Sequence, residues 1–323
     1  GVTAYIIKRN GTQVGTSVVP NYADTGLSSA TTYNYTIAAR DAANNVSSDS
    51  AIVSATTADT TLPTTPTDLL ATATGATTVN LTWTASTDNV AVTGYIVKRN
   101  GVQVGTSLTP SYADTGLTSA TTYNYTVAAQ DAAGNISANS TTASATTIDT
   151  IAPSAPTGLV ATAAVGAAAI NLTWSASTDN VGVTGYIVKR NGVQVAMPTT
   201  TSYTDSSGLA SATTYSYTVA ARDAAVNISP DSASVSATTA DTTPPSTPTG
   251  VLATAAVGVP TINISWNASS DNVGVTGYIV KRNGVQVGTP TTTSYADTGL
   301  TSSTTYSYTV AARDAAVNIS PDS

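Results

Sequence analysis

The chain has 323 residues and a net charge of −7; it contains no Cys, His, Phe or Glu, so all 18 acids are Asp. These absences remove thiol and imidazole nucleophiles, thiolate and imidazole metal sites, and disulfides; hard-cation binding through oxygen stays open. Eleven Lys+Arg against 18 Asp argue against nucleic acid as a partner, and no apolar run is long enough for membrane insertion.

Taken from the N-terminus, the chain repeats itself. The string Val-Thr-Gly-Tyr-Ile-Val-Lys-Arg-Asn-Gly runs over 92–101, recurs at 183–192 and 275–284, and stands in variant form at 2–11. Tyr5, Tyr95, Tyr186 and Tyr278 are therefore 90, 91 and 92 residues apart. Trp83, Trp174 and Trp266 keep the same spacing, as do Asp41, Asp131, Asp223 and Asp314. A period this long suits an autonomous small domain rather than a solenoid unit.

Within the middle repeat, Ile170, Leu172 and Trp174 alternate with polar neighbours, the pattern of a half-buried strand. Tyr186 and Val188 open a second strand that runs into Asn191-Gly192, a hairpin turn in which both residues tolerate positive φ. Val193 and Val195 continue beyond it, and Tyr215, Tyr217, Val219 and Ala221 mark another long strand. No segment carries a helical stripe, so the expected class is an all-β sandwich.

Pro- and Thr-rich stretches from Asp59 to Pro66, Asp149 to Pro156 and Asp241 to Pro248 mark the joints, and Pro there gives short, semi-stiff connectors. The expected domains are 61–150 and 151–241, with 242–323 lacking its last strand and 1–60 lacking its first two. Gly1 opens directly into strand-like sequence with no legible secretory leader, as in a window onto a longer array.

The series Pro-Thr-Gly-Leu (156–159), Leu-Thr-Trp (172–174), Thr-Gly-Tyr-Ile-Val (184–188), Ser-Tyr-Thr-Asp (202–205), Gly-Leu (208–209) and Thr-Thr-Tyr-Ser-Tyr-Thr-Val-Ala-Ala (213–221) resembles a fibronectin type III domain of the bacterial extracellular kind. The likeness recurs in every copy. It implies tandem seven-stranded immunoglobulin-like sandwiches in a linear array, with Trp174 on the second strand and Tyr215 in a tyrosine corner with Leu209. Arg190 stands where the family often has an aromatic, and Val226 and Val317 stand where the pattern Asp-Ala-Ala-Gly-Asn has the glycine kept at Gly134.

Candidate sites are few. The three Trp and 16 Tyr fall on inward positions, so they read as core and glycan binding is disfavoured. Without His or Glu, Asp residues repeated in every copy are a poor basis for an enzyme. The Lys-Arg pairs at 8–9, 98–99, 189–190 and 281–282 read as solvated hairpin tips, and the Asn-x-Ser/Thr matches, including Asn80, Asn171 and Asn263, as chance products of a Thr/Ser-rich chain. Ile96, Ile187 and Ile279 alternate with core residues and are expected to face outward, a stripe that could serve side-by-side packing of copies.

The acidic recurrence carries more chemistry. By the resemblance, two loops and the incoming linker share one pole of each repeat. The sets are Asp59, Asp88, Asn89, Asp131 and Asn135; Asp149, Asp179, Asn180, Asp223 and Asn227; and Asp241, Asp271, Asn272, Asp314 and Asn318. Three carboxylates with amide or backbone oxygens suit Ca2+, whereas the plain alternative is loop capping by Asp and Asn. The functional expectation is a non-enzymatic extracellular stalk, filament or adhesin shaft on a bacterial surface, partnered by copies of itself or other surface proteins. The alternatives are a spacer within a secreted polysaccharide-degrading enzyme, or a carbohydrate- or receptor-binding module.

Overall fold

The structure, a computed structural model, describes residues 1–323 and consists of strands and irregular segments. It falls into two compact units, Gly1–Thr150 and Ile151–Ser323. The first unit opens with β1 (Val2–Arg9), β2 (Thr12–Ser17), β3 (Thr32–Asp41) and β4 (Val53–Thr56), one antiparallel sheet of order β2-β1-β3-β4. There follow β5 (Thr67–Ala73), β6 (Thr78–Thr84), β7 (Val92–Arg99), β8 (Val102–Ser107), β9 (Ser111–Thr115), β10 (Thr122–Asp131) and β11 (Ala143–Thr146). These make two sheets, β5-β6-β9 and β11-β10-β7-β8.

The period-2 patterning explains why the two sheets face each other. Val79, Leu81 and Trp83 of β6 point the same way, as do Tyr95 and Val97 of β7 and Tyr125 and Val127 of β10, and all seven are buried in one cluster. Trp83 meets Tyr95 edge-on, with ring centroids 5.1 Å apart at 69°, a favoured aromatic geometry. The β7–β8 hairpin turns on Asn100 (φ 51) and Gly101 (φ 82), as the Asn-Gly dipeptide requires, and a register shift follows at Val97/Lys98.

The second unit repeats this plan. Its strands are β12 (Thr157–Ala163), β13 (Ile170–Ser175), β14 (Val183–Arg190), β15 (Val193–Ala196), β16 (Ser202–Asp205), β17 (Thr214–Asp223) and β18 (Val235–Thr238). Then come β19 (Thr249–Ala255), β20 (Thr261–Asn267), β21 (Val275–Arg282), β22 (Val285–Gly288), β23 (Ser294–Thr298) and β24 (Tyr308–Asp314). The sheets are β12-β13-β16 with β15-β14-β17-β18, and β19-β20-β23 with β22-β21-β24. Trp174 and Trp266 lie in the respective cores.

Three local features differ from the sequence reading or extend it. The Lys-Arg pairs are not free hairpin tips. Arg99 pairs with Asp114 at 2.9 Å and lies over the Tyr123 ring at 5.5 Å, while Asp114 is only 4% exposed and accepts a hydrogen bond from Tyr125. Arg9, Arg190 and Arg282 do the same with Asp24, Asp205 and Asp297. Of the lysines, Lys8, Lys189 and Lys281 reach Asp49, Asp231 and Asp322. The outward isoleucines form no exposed stripe either. Ile187 is 6% exposed, and Ile96 and Ile279 are half-buried. Each stands opposite a buried alanine on the neighbouring strand (Ala128, Ala220 or Ala311). Among the aromatics, Tyr22 departs from the core pattern at 41% exposure.

The third feature lies beside β10. The Ser137 and Ser140 hydroxyls accept hydrogen bonds from the Ala129 and Val127 amides and donate to the Ala138 and Thr141 carbonyls. Serine side chains thereby continue the ladder where the backbone is irregular. Ser229 and Ser232 repeat the device beside β17. A tyrosine corner is present, with its hydrogen bond one residue beyond the expected Leu209: the Tyr215 hydroxyl accepts the Ala210 amide at 2.9 Å, and Tyr33, Tyr123 and Tyr306 make the equivalent bond.

Candidate metal centre

In the first unit, three loops bring Asp59, Asp88 and Asp131 together, with a carboxylate oxygen of each within 4.8 Å of the others. Asp131 ends β10 and is 3% exposed. Its Oδ1 accepts the Asn135 amide at 2.8 Å, and its Oδ2 accepts Asn135 Nδ2 at 2.7 Å, so the tight Asp-Ala-Ala-Gly-Asn turn fixes its direction. Asp88 starts an Asx turn between β6 and β7, with Oδ2 accepting the Val90 amide at 2.9 Å. Asp59 follows β4. Its Oδ1 accepts the Ser29 hydroxyl at 2.8 Å, the Thr61 amide at 3.1 Å and Asn89 Nδ2 at 3.2 Å. Those donors, Ser29 first, hold the Asp59 carboxyl below the usual aspartate range.

The remaining oxygens are the informative ones. Asp59 Oδ2 and Asp88 Oδ1 are shut off from solvent and accept no hydrogen bond. The asparagines act as donors that tie the loops together: Asn135 Nδ2 also reaches the Asp59 carbonyl at 3.2 Å.

The second unit builds the same arrangement from Asp241, Asp271 and Asp314, again within 4.8 Å. Asp241 Oδ1 takes Ser211, Thr243 and Asn272; Asp271 Oδ2 takes the Val273 and Gly274 amides; Asp314 is held by Asn318. Asp241 Oδ2 and Asp271 Oδ1 are again buried without a donor. The Ser211 hydroxyl is the main cause that lowers the Asp241 pKa. Asp179 and Asp223 occupy the corresponding turns after β13 and β17. The Gly182 and Val181 amides lower the Asp179 pKa, Asp179 Oδ1 is buried without a donor, and Asn227 holds Asp223. Asp149 closes the first unit, within reach of the Ser119 hydroxyl at 3.3 Å.

The buried Asp114–Arg99–Tyr125 cluster escaped sequence reasoning. Its signal was present: the Ser-Tyr-x-Asp series recurs with Asp205 and Asp297 at the same offset from an Arg. It serves structure: both Asp114 oxygens accept from Arg99, and Oδ2 also accepts the Tyr125 hydroxyl.

A class follows from these observations: paired antiparallel sheets with a tryptophan-centred core, a tyrosine corner and an acidic loop pole, all repeated. Residues 64–146 and 154–238 match the family model of the Fibronectin type III domain, and the chain belongs to that family. It is 48% identical over 279 residues to Exoglucanase B of Cellulomonas fimi, covering 82% of this chain and 25% of that protein. To Exoglucanase A of the same organism it is 50% identical over 274 residues, covering 80% and 31%. To Chitinase A1 of Niallia circulans it is 48% identical over 194 residues, covering 58% and 27%. The chain thus spans a quarter to a third of the length of these relatives. Its matched residues are fibronectin type III repeats, and the rest of each relative lies outside the matched portion.

Proposed function

We propose that this chain is the spacer array of a secreted bacterial polysaccharide-degrading enzyme, holding a catalytic module and a substrate-anchoring module at a set separation. The observation that carries this reading is the near 50% identity, over four-fifths of the chain, to portions of two exoglucanases that make up less than a third of each. The chemistry agrees with a passive role. The tryptophans are consumed by the cores, so no row of exposed indoles offers itself to sugar rings, and the buried Asp114, Asp205 and Asp297 each pair with an arginine of the same repeat. Polar Thr- and Ser-rich surfaces around independently packed cores suit a segment that separates modules.

The stalk, filament or adhesin shaft uses the same building blocks, and the relatives favour the spacer over it. The test is to recover the native polypeptide with an antibody against this chain and assay it on glucan and chitin. Hydrolysis by that same polypeptide is expected. Removing the repeats should leave its rate on a soluble oligosaccharide unchanged and lower its rate on the insoluble polymer. Recovery as fibres without any hydrolytic module would overturn the spacer reading in favour of the shaft.

A further inference from the structure

We propose that the acidic clusters Asp59–Asp88–Asp131 and Asp241–Asp271–Asp314 are binding sites for a hard divalent cation, with Ca2+ the ion they fit. The inference is independent of the spacer reading and concerns what locks each loop pole.

Two separate observations support it. The first is geometric. Ca2+ holds oxygens at about 2.4 Å, so oxygens on opposite sides of one ion stand about twice that far apart. All three carboxylates of each cluster supply an atom within 4.8 Å of the others. The second concerns hydrogen bonding. Every other acceptor of these carboxylates is satisfied, yet Asp59 Oδ2, Asp88 Oδ1, Asp241 Oδ2 and Asp271 Oδ1 are sealed from solvent with no donor aimed at them. A buried carboxylate oxygen with no partner is costly, and two of them beside a third carboxylate are more so. Loop capping explains the bonded oxygens, such as Asp88 Oδ2 on the Val90 amide. It leaves the orphaned ones, on acids whose carboxylates stand within 4.8 Å of one another, unexplained. A cation satisfies them at once. The same atoms are orphaned in both units, so the feature is a property of the repeated sequence and not of one loop.

The ion would join three loops distant in sequence: the segment after β4, the β6–β7 turn and the turn after β10, with the equivalent segments in the second unit. The absence of thiol and imidazole excludes softer metals from this donor set.

The test uses the full 323-residue chain, stripped with EDTA and titrated with calcium chloride by calorimetry and by thermal unfolding. Saturable binding is expected, with a Tm rise of several degrees as the ion binds the folded state alone. The second arm is the combined variant Asp88→Asn, Asp179→Asn and Asp271→Asn. Each asparagine keeps the oxygen that caps its turn and replaces the orphaned oxygen by an amide. At Asp88 and Asp271 that amide can donate to Asp59 or Asp241. In EDTA the variant should therefore melt at or above the parent's Tm, while its Ca2+ affinity falls at least about tenfold. The result distinguishes a cation site from acid repulsion, because the substitution stabilises without Ca2+ and forfeits the gain with it. Absence of both binding heat and any Tm change on adding Ca2+ to the parent would overturn the proposal, as would an equal Ca2+ response from parent and variant. The parent titration decides the matter by itself should the variant fold poorly.

Discussion

The sheet of β1–β4 and the sheet of β7, β8, β10 and β11 share strand order, register and turn chemistry, with Ile7 opposite Ile37 in one and Val97 opposite Val127 in the other. Their side chains nevertheless meet different surroundings. Val127 is fully buried, whereas its counterpart Ile37 is 47% exposed. Tyr125 is fully buried and Tyr35 only half. What differs is the layer opposite: Val79, Leu81 and Trp83 of β6 cover the second sheet. Pairing and turns are local properties of the strand sequences, but burial belongs to the sandwich.

The largest expected effect comes from removing that cover. Trp83→Ala should cost about 3–5 kcal/mol in the repeat that contains it, through lost burial and the cavity left behind. Ile37→Ala in the open sheet should cost less than about 1 kcal/mol. Urea unfolding followed by circular dichroism measures both, and equal costs would break the comparison.

An intermediate effect lies in the tyrosines. Burial, and then the hydrogen bond to Asp114, pushes the Tyr125 pKa above its ordinary 10; burial and Asp297 push Tyr308 up to about 12. A folded-state pKa above the unfolded one favours the protonated form. The stability it contributes is full below pH 10 and is lost as pH rises through the folded value. Unfolding midpoints should fall steeply between about pH 10 and 12, and Tyr125→Phe should flatten that fall more than Tyr35→Phe. Identical slopes would show that the covering layer does not tune these groups. At the acid end the sign reverses. Asp59, Asp179 and Asp241 have lowered pKa values, so their contribution is present above the ordinary 3.8 and is lost as pH falls through the folded values.

The smallest effect concerns the turn after β10 and its equivalents. Gly134 sits at φ 89, but Val226 and Val317 hold φ 73 and φ 71, a region in which a β-branched side chain is strained. Val226→Gly should raise stability by about 1 kcal/mol, and Gly134→Val should lower it by a similar amount. Thermal unfolding of both variants sharpens the comparison by separating turn strain from loss of cover.

Much of this was legible in the chain. The alternation at Ile170, Leu172 and Trp174, the Asn-Gly hairpins and the recurrence of Trp at a fixed pitch define strands and an inward face, because a period of 2 has only two faces to choose from. The three acids of each cluster were also recoverable, since they recur at fixed offsets beside turn residues. The Arg99–Asp114–Tyr125 cluster was not read, because it joins β7, β9 and β10 across positions that look like an exposed hairpin base. Nor was the serine-bonded ladder, since hydroxyls in a Ser/Thr-rich chain carry no periodic signal.

The sequence by itself determined the strands, their facing and the repeat, since these follow from side-chain alternation and backbone turn preferences acting over a few residues. Only the tertiary structure decided which faces were buried, which acids met a guanidinium, and which carboxylate oxygens were left without a donor. Those outcomes depend on groups tens of residues apart arriving within a few ångströms of one another, and no local pattern encodes that distance.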